Sequence, residues 1–262
     1  MAYHEVPDGT RLFYTDAGQG RPVLMLHGWT CDGTDWSWQA PELEQRYRVL
    51  IVDQRGHGHS DAPRGSYRPQ VLADDAAAFL EAVAPGQAAV VFGHSMGGIV
   101  ASALAVRHPE LVAGLVLVDP AYSAPDEVVE RTLDAIRGPS PAVTAEALFA
   151  SFYTPDTPEF LKAWHRRRVL ATPDHVMVGC LAGLVEGDEG IGRASIAEDY
   201  LRQRTAPRLA VYRAEPATWL ERALPRGESD EIHVLPGGHF MHQQLPGEFN
   251  VLALSWLDKW LP

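Results

Sequence analysis

Short apolar runs recur along the chain, with stretches of helical periodicity between them. A continuous apolar run is typical of a strand buried on both faces, and an alternating run of a strand buried on one face. Strands are predicted at residues 10–15, 22–26, 48–52, 88–92, 112–118, 207–213 and 231–235. Helices are predicted at residues 36–46, 70–83, 99–105 and 249–261. Because strands and helices alternate, we predict an α/β fold, with a mostly parallel sheet covered by helices on both faces.

The alternation stops in the middle of the chain. Between the strands at 112–118 and 207–213 only helical patterns appear, at residues 126–136, 145–152, 158–170 and 196–203. We therefore predict a core domain of residues 1–121 and 206–262 and a helical lid of residues 122–205, inserted after the sixth strand. Such an insertion is expected to cover the carboxyl ends of the strands, where α/β sheets bind their ligands.

A turn of small residues joins the strand at 88–92 to the helix that follows it. The sequence Gly93-x-Ser95-x-Gly97 at this turn fits a nucleophile elbow, in which a strained serine stands clear of the backbone. Glycine is needed two places to either side, since a Cβ there would collide with the turn. The N–H groups that begin the next helix would face a developing oxyanion. Ser95 is therefore the predicted nucleophile.

A serine nucleophile needs a base and donors for the oxyanion. His239 is the predicted base, in a tight loop between the last strand and the terminal helix, and His242 is the fallback. The backbone N–H groups of Trp29 and Met96 are the predicted oxyanion-hole donors, with Gly28 allowing the chain to turn beside Trp29.

Four motifs, in this order, resemble the α/β-hydrolase superfamily. They are His27-Gly28-Trp29, Asp53-x-Arg55-Gly56-x-Gly58-x-Ser60, Gly93-His94-Ser95-Met96-Gly97-Gly98 and Pro236-Gly237-Gly238-His239-Phe240. The resemblance covers nearly the whole chain except the lid, and it implies the α/β-hydrolase fold with an eight-stranded sheet. It implies a serine hydrolase of carboxylic esters or lactones that forms an acyl-enzyme and needs no cofactor. Serine at position 95 disfavours the branches that use an aspartate there, which displace halide or open epoxides.

The acid of the expected Ser-His-acid triad has two candidates. Many relatives place a glycine and then an aspartate after the strand that corresponds to 207–213, whereas this chain has Ala214 and Glu215. Some members, among them lactone hydrolases of the zearalenone type and cofactor-free dioxygenases, carry the acid one strand earlier. Asp119 stands at that position. Asp119 is the predicted acid and Glu215 the alternative.

Two other functions are weighed against hydrolysis. The resemblance to cofactor-free dioxygenases extends to Cys31 after His27-Gly28-Trp29 and to Glu215-Pro216. In such an enzyme the histidine–aspartate pair deprotonates a hydroxyl of a heteroaromatic substrate, and the resulting anion reacts with oxygen. A non-catalytic receptor on the same scaffold would have no use for a complete set of serine, histidine and acid.

Six residues are predicted to line the substrate pocket: Trp29, His94, Tyr122, Phe152, Tyr153 and Trp164. With His165 as a polar group, they indicate a small-molecule ester or lactone of apolar or aromatic character. The segment from Asp53 to Asp61 contains His57 and His59 but no further convergent ligand, so no metal site is expected there.

Net charge and cysteine content limit the classes of binding partner and the cellular compartment that the sequence suggests. The 262 residues carry a net charge of −12, which disfavours a nucleic-acid partner, and residues 166–168 form the only basic run. Cys31 and Cys180 are far apart, as expected in a reducing compartment. No apolar signal run begins the chain, and no stretch reaches the ~20 apolar residues of a membrane span. A cytoplasmic protein is expected, with a homodimer considered as its assembly.

Overall fold

The computed structural model describes residues 2–122, 125–187 and 189–261. Both terminal residues of the predicted core domain and three positions of the predicted lid therefore lie outside the described residues. Eight strands are present in the described part: β1 Ala2–Glu5, β2 Arg11–Gly18, β3 Pro22–Leu26, β4 Arg48–Val52, β5 Ala89–His94, β6 Val112–Val118, β7 Arg208–Tyr212 and β8 Glu231–Val234.

All eight strands form one sheet in the order β1-β2-β4-β3-β5-β6-β7-β8. β1 and β2 run antiparallel to their neighbours, and all pairs from β4 to β8 are parallel. The predicted fold class, an α/β fold with a mostly parallel eight-stranded sheet, is confirmed. The pattern did not identify β1, because its four residues are only half buried in alternation and contain no apolar run.

Helices cover both faces of the sheet. Along the described residues they are α1 Ala40–Leu43, α2 Pro69–Val83, α3 Met96–Arg107, α4 Asp126–Ile136, α5 Pro141–Ala150, α6 Glu159–Ala171, α7 Asp174–Val185, α8 Ala194–Leu201, α9 Trp219–Ala223, α10 Met241–Gln244 and α11 Pro246–Trp260. Strand residues alternate between two cores, as the pleat requires. Leu24 and Leu26 pack with α2 and α3, whereas Val23 and Met25 pack with α1 and α11.

The helix predicted at residues 36–46 is wrong in its extent. A 3₁₀ turn spans Gly33–Trp36, and the short helix α1 starts only at Ala40. Pro41 lies in the first turn of α1. A proline has no N–H for an intrahelical hydrogen bond and is tolerated only at a helix start, so one helix cannot run through this position.

The described residues between β6 and β7 contain the five helices α4 to α8. α4 coincides with the helix predicted at residues 126–136, while α7 was not predicted. That these helices form a separate lid domain stays a prediction.

No single helix in the described ranges is long and apolar enough to cross a membrane. The consecutive helices α6 and α7 reach the required length and composition together, but the chain bends by 100° between them.

Candidate active site

Ser95 lies at the sharp turn between β5 and α3. Its backbone has φ 53° and ψ −114°, a conformation that costs energy for any residue with a side chain. The Ser95 N–H donates to the carbonyl of Val118 at 3.0 Å, which ties the turn to β6. A Cβ on Gly93 would overlap the backbone of Gly97, and one on Gly97 would overlap the backbone of Leu26. The close packing of this turn therefore requires both glycines.

His239 and Asp119 meet at the carboxyl edge of the sheet. Nδ1 of His239 lies 2.6 Å from Oδ2 of Asp119, and both side chains are buried. Burial alone would raise the pKa of Asp119, but the hydrogen bond from His239 and the charge of Arg213 outweigh it and hold that pKa below its ordinary value. Asp119 is therefore a carboxylate and accepts the Nδ1–H proton of His239. The second ring nitrogen, Nε2, is left with a lone pair that can accept a proton.

The alternative acid Glu215 and the fallback base His242 lie outside the contact between His239 and Asp119. Glu215 belongs to a 3₁₀ turn after β7, its side chain is 65% exposed, and it forms an ion pair of 2.8 Å with Arg222. His242 is fully buried in α10, and its ring packs against that of Trp36. The fold thus brings Asp119 to His239 and directs Glu215 to the surface.

A cavity of about 80 Å³ contains both Ser95 and His239. Its wall is almost entirely apolar, and the remaining members are Gly28, Trp29, Cys31, His94, Met96, Ala121, Leu148, Phe149, Phe152, Leu181, Leu184 and Phe240. The inserted helices supply one side of this wall. The indole N–H of Trp29 donates to the carbonyl of Met177 in α7 at 3.1 Å, which joins the two sides.

Both predicted oxyanion donors, Trp29 and Met96, border this cavity. Met96 is the first residue of α3, so its N–H has no acceptor within the helix. The positive end of the α3 dipole therefore faces the space beside Ser95.

Of the residues predicted to line the pocket, Trp29, His94 and Phe152 do so, whereas Tyr122, Tyr153 and Trp164 do not. The phenol of Tyr122 is turned away, and it donates to the carbonyl of Gly98 at 3.2 Å. Tyr153 stacks on His165. Trp164 is 40% exposed and borders a separate cleft of about 490 Å³.

That separate cleft is larger than the cavity at Ser95 but contains none of the predicted catalytic residues. It is lined by Cys31, Asp32, Thr34, Ser37, Gly58, Trp164, Arg167, Arg168, Ala171 and Thr172. We therefore place the candidate active site in the smaller cavity, which contains Ser95 and His239, the histidine that Asp119 contacts.

The segment with His57 and His59 braces loops. Asp53 accepts hydrogen bonds from the backbone N–H groups of Gly33 and His59, at 2.7 and 2.9 Å. Its carboxylate therefore holds together the two loops that contain Gly33 and His59.

One residue beside the candidate acid was missed. Arg213 directly follows β7, and its guanidinium lies 3.1 Å from Oδ2 of Asp119. The topology could have indicated it, since β6 and β7 are parallel neighbours and the residues that follow them emerge side by side.

Comparisons with known proteins identify the family and the fold. A family model described as alpha/beta hydrolase fold matches residues 21–172. Among curated proteins, 2-hydroxymuconate semialdehyde hydrolase of Pseudomonas sp. (strain CF600) is 40% identical over 139 residues, which cover 51% of this chain and 48% of that protein. The chain therefore spans about half the length of that relative.

Solved structures match over almost the whole chain. The enol-lactonase from Burkholderia xenovorans LB400 superposes with a TM-score of 0.84 at 23% identity, covering 98% of this chain and 100% of its own. Est816, described as an N-acyl homoserine lactone degrading enzyme, superposes with a TM-score of 0.80 at 25% identity, covering 96% and 99%.

Proposed function

The chain belongs to the alpha/beta hydrolase fold family, and from that premise we propose that it is a serine hydrolase that cleaves a carboxylic ester or a lactone. The observation that carries the proposal is the 2.6 Å hydrogen bond between His239 and Asp119, beside a cavity that also contains Ser95. A histidine held by a carboxylate next to a strained serine is the arrangement that nucleophilic acyl transfer needs.

In the proposed reaction Ser95 Oγ attacks the carbonyl carbon and passes its proton to Nε2 of His239. The amides of Trp29 and Met96 stabilise the oxyanion, a contribution worth about 3 kcal/mol for each donor in serine hydrolases. His239 then protonates the departing alkoxide, which leaves an acyl-enzyme. A water molecule, deprotonated by His239, attacks the acyl carbon; the bond to Ser95 Oγ then breaks, His239 returns the proton to that oxygen, and the acid is released. Asp119 remains ionised throughout and holds the imidazole in the required tautomer.

The size and polarity of the cavity indicate the acyl group. A space of about 80 Å³ with an apolar wall has room for a few carbon atoms and offers no partner for a charge. We therefore propose short, uncharged acyl groups, or small lactones whose ring supplies both the acyl and the alkoxide part. The lactone-degrading activity described for Est816 is consistent with the second form.

The test is labelling with a fluorophosphonate probe at neutral pH, followed by intact mass and peptide mapping. We expect one adduct, on Ser95, and none on the Ser95→Ala and His239→Ala variants. Ser102→Ala is the matched control, because Ser102 is a fully buried serine on α3 that hydrogen-bonds the phenol of Tyr122. It should label as the wild type does.

An unlabelled but folded wild type would contradict the proposal. Oxygen uptake and carbon monoxide release with hydroxyquinolone-like substrates would then be measured, since a cofactor-free dioxygenase of this kind would consume oxygen and release carbon monoxide. If the wild type is labelled, its hydrolysis of a panel of p-nitrophenyl esters and lactones would be measured next.

We further propose a cytoplasmic location. Cys31 and Cys180 are both free thiols and both buried, which suits a reducing compartment. Immunoblotting of fractionated native cells would test this, and recovery in the secreted fraction would contradict it.

A further inference from the structure

A buried polar cluster lies directly behind the candidate active site. Asp35 and His94 are 0% and 1% exposed, although neither takes part in the proposed chemistry. Oδ1 of Asp35 accepts from the guanidinium of Arg168 on α6 and from the amide of Gln243 on α10. Asp35 therefore connects the inserted helices to the segment that follows His239.

One contact determines which nitrogen of His94 carries the proton. Nε2 of His94 lies 3.0 Å from the backbone carbonyl oxygen of His239. A carbonyl oxygen can only accept, so Nε2 must be the protonated nitrogen. Burial, together with the neighbouring histidines His242 and His239, whose protonation would oppose its own, holds the pKa of His94 well below its ordinary value, so the ring is neutral. Its Nδ1 atom is then a lone-pair acceptor.

That acceptor faces a second acceptor. Nδ1 of His94 is 3.9 Å from Oδ2 of Asp35, too far for a direct hydrogen bond. Neither atom has a hydrogen-bond partner among the residues that the structure describes. Burial would raise the pKa of Asp35, but the charge of Arg168 outweighs it and lowers that pKa, so the carboxylate is ionised. Two buried lone-pair atoms face each other, and each needs a donor.

We propose that one water molecule donates to both Asp35 Oδ2 and His94 Nδ1, and that this bridge makes His94 a positioning residue for the loop that carries His239. Two atoms 3.9 Å apart can both lie about 2.8 Å from one oxygen, at an angle of roughly 90°, which suits the two O–H bonds of water. The positioning role of His94 rests on the proposed hydrolase function, whereas the presence of the bridging water does not depend on it.

A metal ion is the competing occupant. Asp35, His94 and His242 offer three ligand atoms within 4.8 Å of one another. However, the guanidinium of Arg168 already occupies the same carboxylate, so a divalent cation would add positive charge beside a buried positive charge. Water satisfies both acceptors without that repulsion.

The bridge acts on His239 through the His94 ring. The two rings have their centroids 4.7 Å apart, and the only side-chain group that bonds the His239 carbonyl among the described residues is Nε2 of His94. With its Nδ1 side held by the water, the His94 ring cannot rotate without losing both contacts. We expect its loss to misplace the base, which affects the chemical step more than substrate binding.

The activity test uses two substitutions at position 94 and one control. His94→Phe keeps the bulk but removes the donor, and we expect kcat to fall about 10- to 100-fold with KM within about threefold. His94→Gln retains an amide donor for the His239 carbonyl and should recover most of kcat. His57→Phe is the matched control, since His57 is another buried histidine, and its ring packs on His27 rather than on the His239 loop. The positioning role is wrong if His94→Phe behaves as His57→Phe does, or if His94→Gln falls as far as His94→Phe.

The water is tested without any turnover. A crystal structure at about 1.2 Å resolution should show one oxygen about 2.8 Å from both atoms. The ¹⁵N side-chain shifts of His94 should report the Nε2–H tautomer. A direct hydrogen bond between Asp35 and His94, an Nδ1–H tautomer, or an anomalous scatterer about 2.1 Å from the ligand atoms would overturn the proposal. These readouts are unaffected if the protein proves not to be a hydrolase.

Discussion

At the scale of single residues, backbone strain gathers around one cavity. Three non-glycine residues have a positive φ in the described part of the chain: Thr30, Ser95 and Asp119. Thr30 follows the predicted oxyanion donor Trp29, Ser95 is the predicted nucleophile, and Asp119 is the predicted acid. Such conformations persist only where the surrounding structure enforces them, and they are typical of functional sites. Their coincidence here supports the proposed chemistry independently of the sequence motifs.

Replacing the acid gives the sharpest prediction at this scale. Asp119→Asn should lower kcat about 10³- to 10⁴-fold with little change in KM, because an asparagine cannot hold His239 in the Nδ1–H tautomer as a carboxylate does. Steady-state hydrolysis of a p-nitrophenyl ester measures this. The control is Glu215→Gln, which removes the exposed alternative acid and should leave kcat unchanged. A loss of kcat in Glu215→Gln with an active Asp119→Asn would reverse the assignment.

At the scale of elements, the β5–α3 turn packs so closely that two of its positions accept only glycine. A Cβ on Gly97 would penetrate the backbone of β3 at Leu26, and neither partner can move without breaking the sheet. The same closeness brings the start of α3 next to Trp29.

Gly97→Ala should therefore destabilise the protein by about 3 kcal/mol or more, because overpacking against backbone cannot be relieved by a rotamer change. Gly247→Ala is the control. It lies in α11, a Cβ there meets nothing within 4 Å, and alanine favours a helix, so we expect no loss of stability. Urea unfolding of the three proteins measures both effects; equal midpoints would show that the turn is looser than described.

Helices between β6 and β7 form part of the wall of the cavity at Ser95. Leu184 on α7 borders it, whereas Leu170 on α6 is 54% exposed. Leu184→Ala should raise the kcat/KM ratio of an octanoate over a butyrate ester by about 10-fold, since it removes a wall of the acyl space. Leu170→Ala should leave the ratio unchanged. If neither variant alters the ratio, the acyl group does not lie against α7.

At the scale of the whole molecule, burial of neutral histidines makes the fold sensitive to acid. Burial lowers the pKa of His57 and of His242 to about 3 and that of His165 to about 4, and it lowers the pKa of His94 strongly as well. In the unfolded chain all four return to a pKa of about 6.5. The unfolded state therefore binds more protons than the folded state between pH 6.5 and about 4.

The free energy of unfolding should accordingly be greatest above pH 6.5 and fall as the pH drops from 6.5 towards 4. Each histidine contributes about 1 kcal/mol per pH unit in that window, so four of them lower stability steeply. Denaturant titrations at pH 7.5, 6.5 and 5.5 measure the slope. His57→Phe should reduce this slope by the contribution of one histidine, about 1 kcal/mol per pH unit. A stability that does not change across this range would contradict the burial of these histidines in neutral form.

The sequence by itself predicted the fold class and seven of the eight strands in the described part of the chain, with the turn at Ser95 and the histidine loop at 235–240. These features are local. An apolar run long enough for a buried strand, or a glycine pair around a serine, has its effect through neighbours within a few residues, and so the printed sequence reveals it. The strands at 22–26, 48–52 and 112–118 were predicted with the bounds that the structure has.

The tertiary structure decided which side chains meet. The sequence predicted Asp119 as the acid with Glu215 as the alternative, and the tertiary structure places Asp119 against His239 and Glu215 at the surface beside Arg222. Tyr122, Tyr153 and Trp164 are aromatic residues of the kind that line apolar pockets, yet none of them borders the cavity at Ser95. Arg213 and the Asp35–His94 contact join residues far apart in the chain. Such contacts depend on how whole elements pack, which no local pattern of residues encodes.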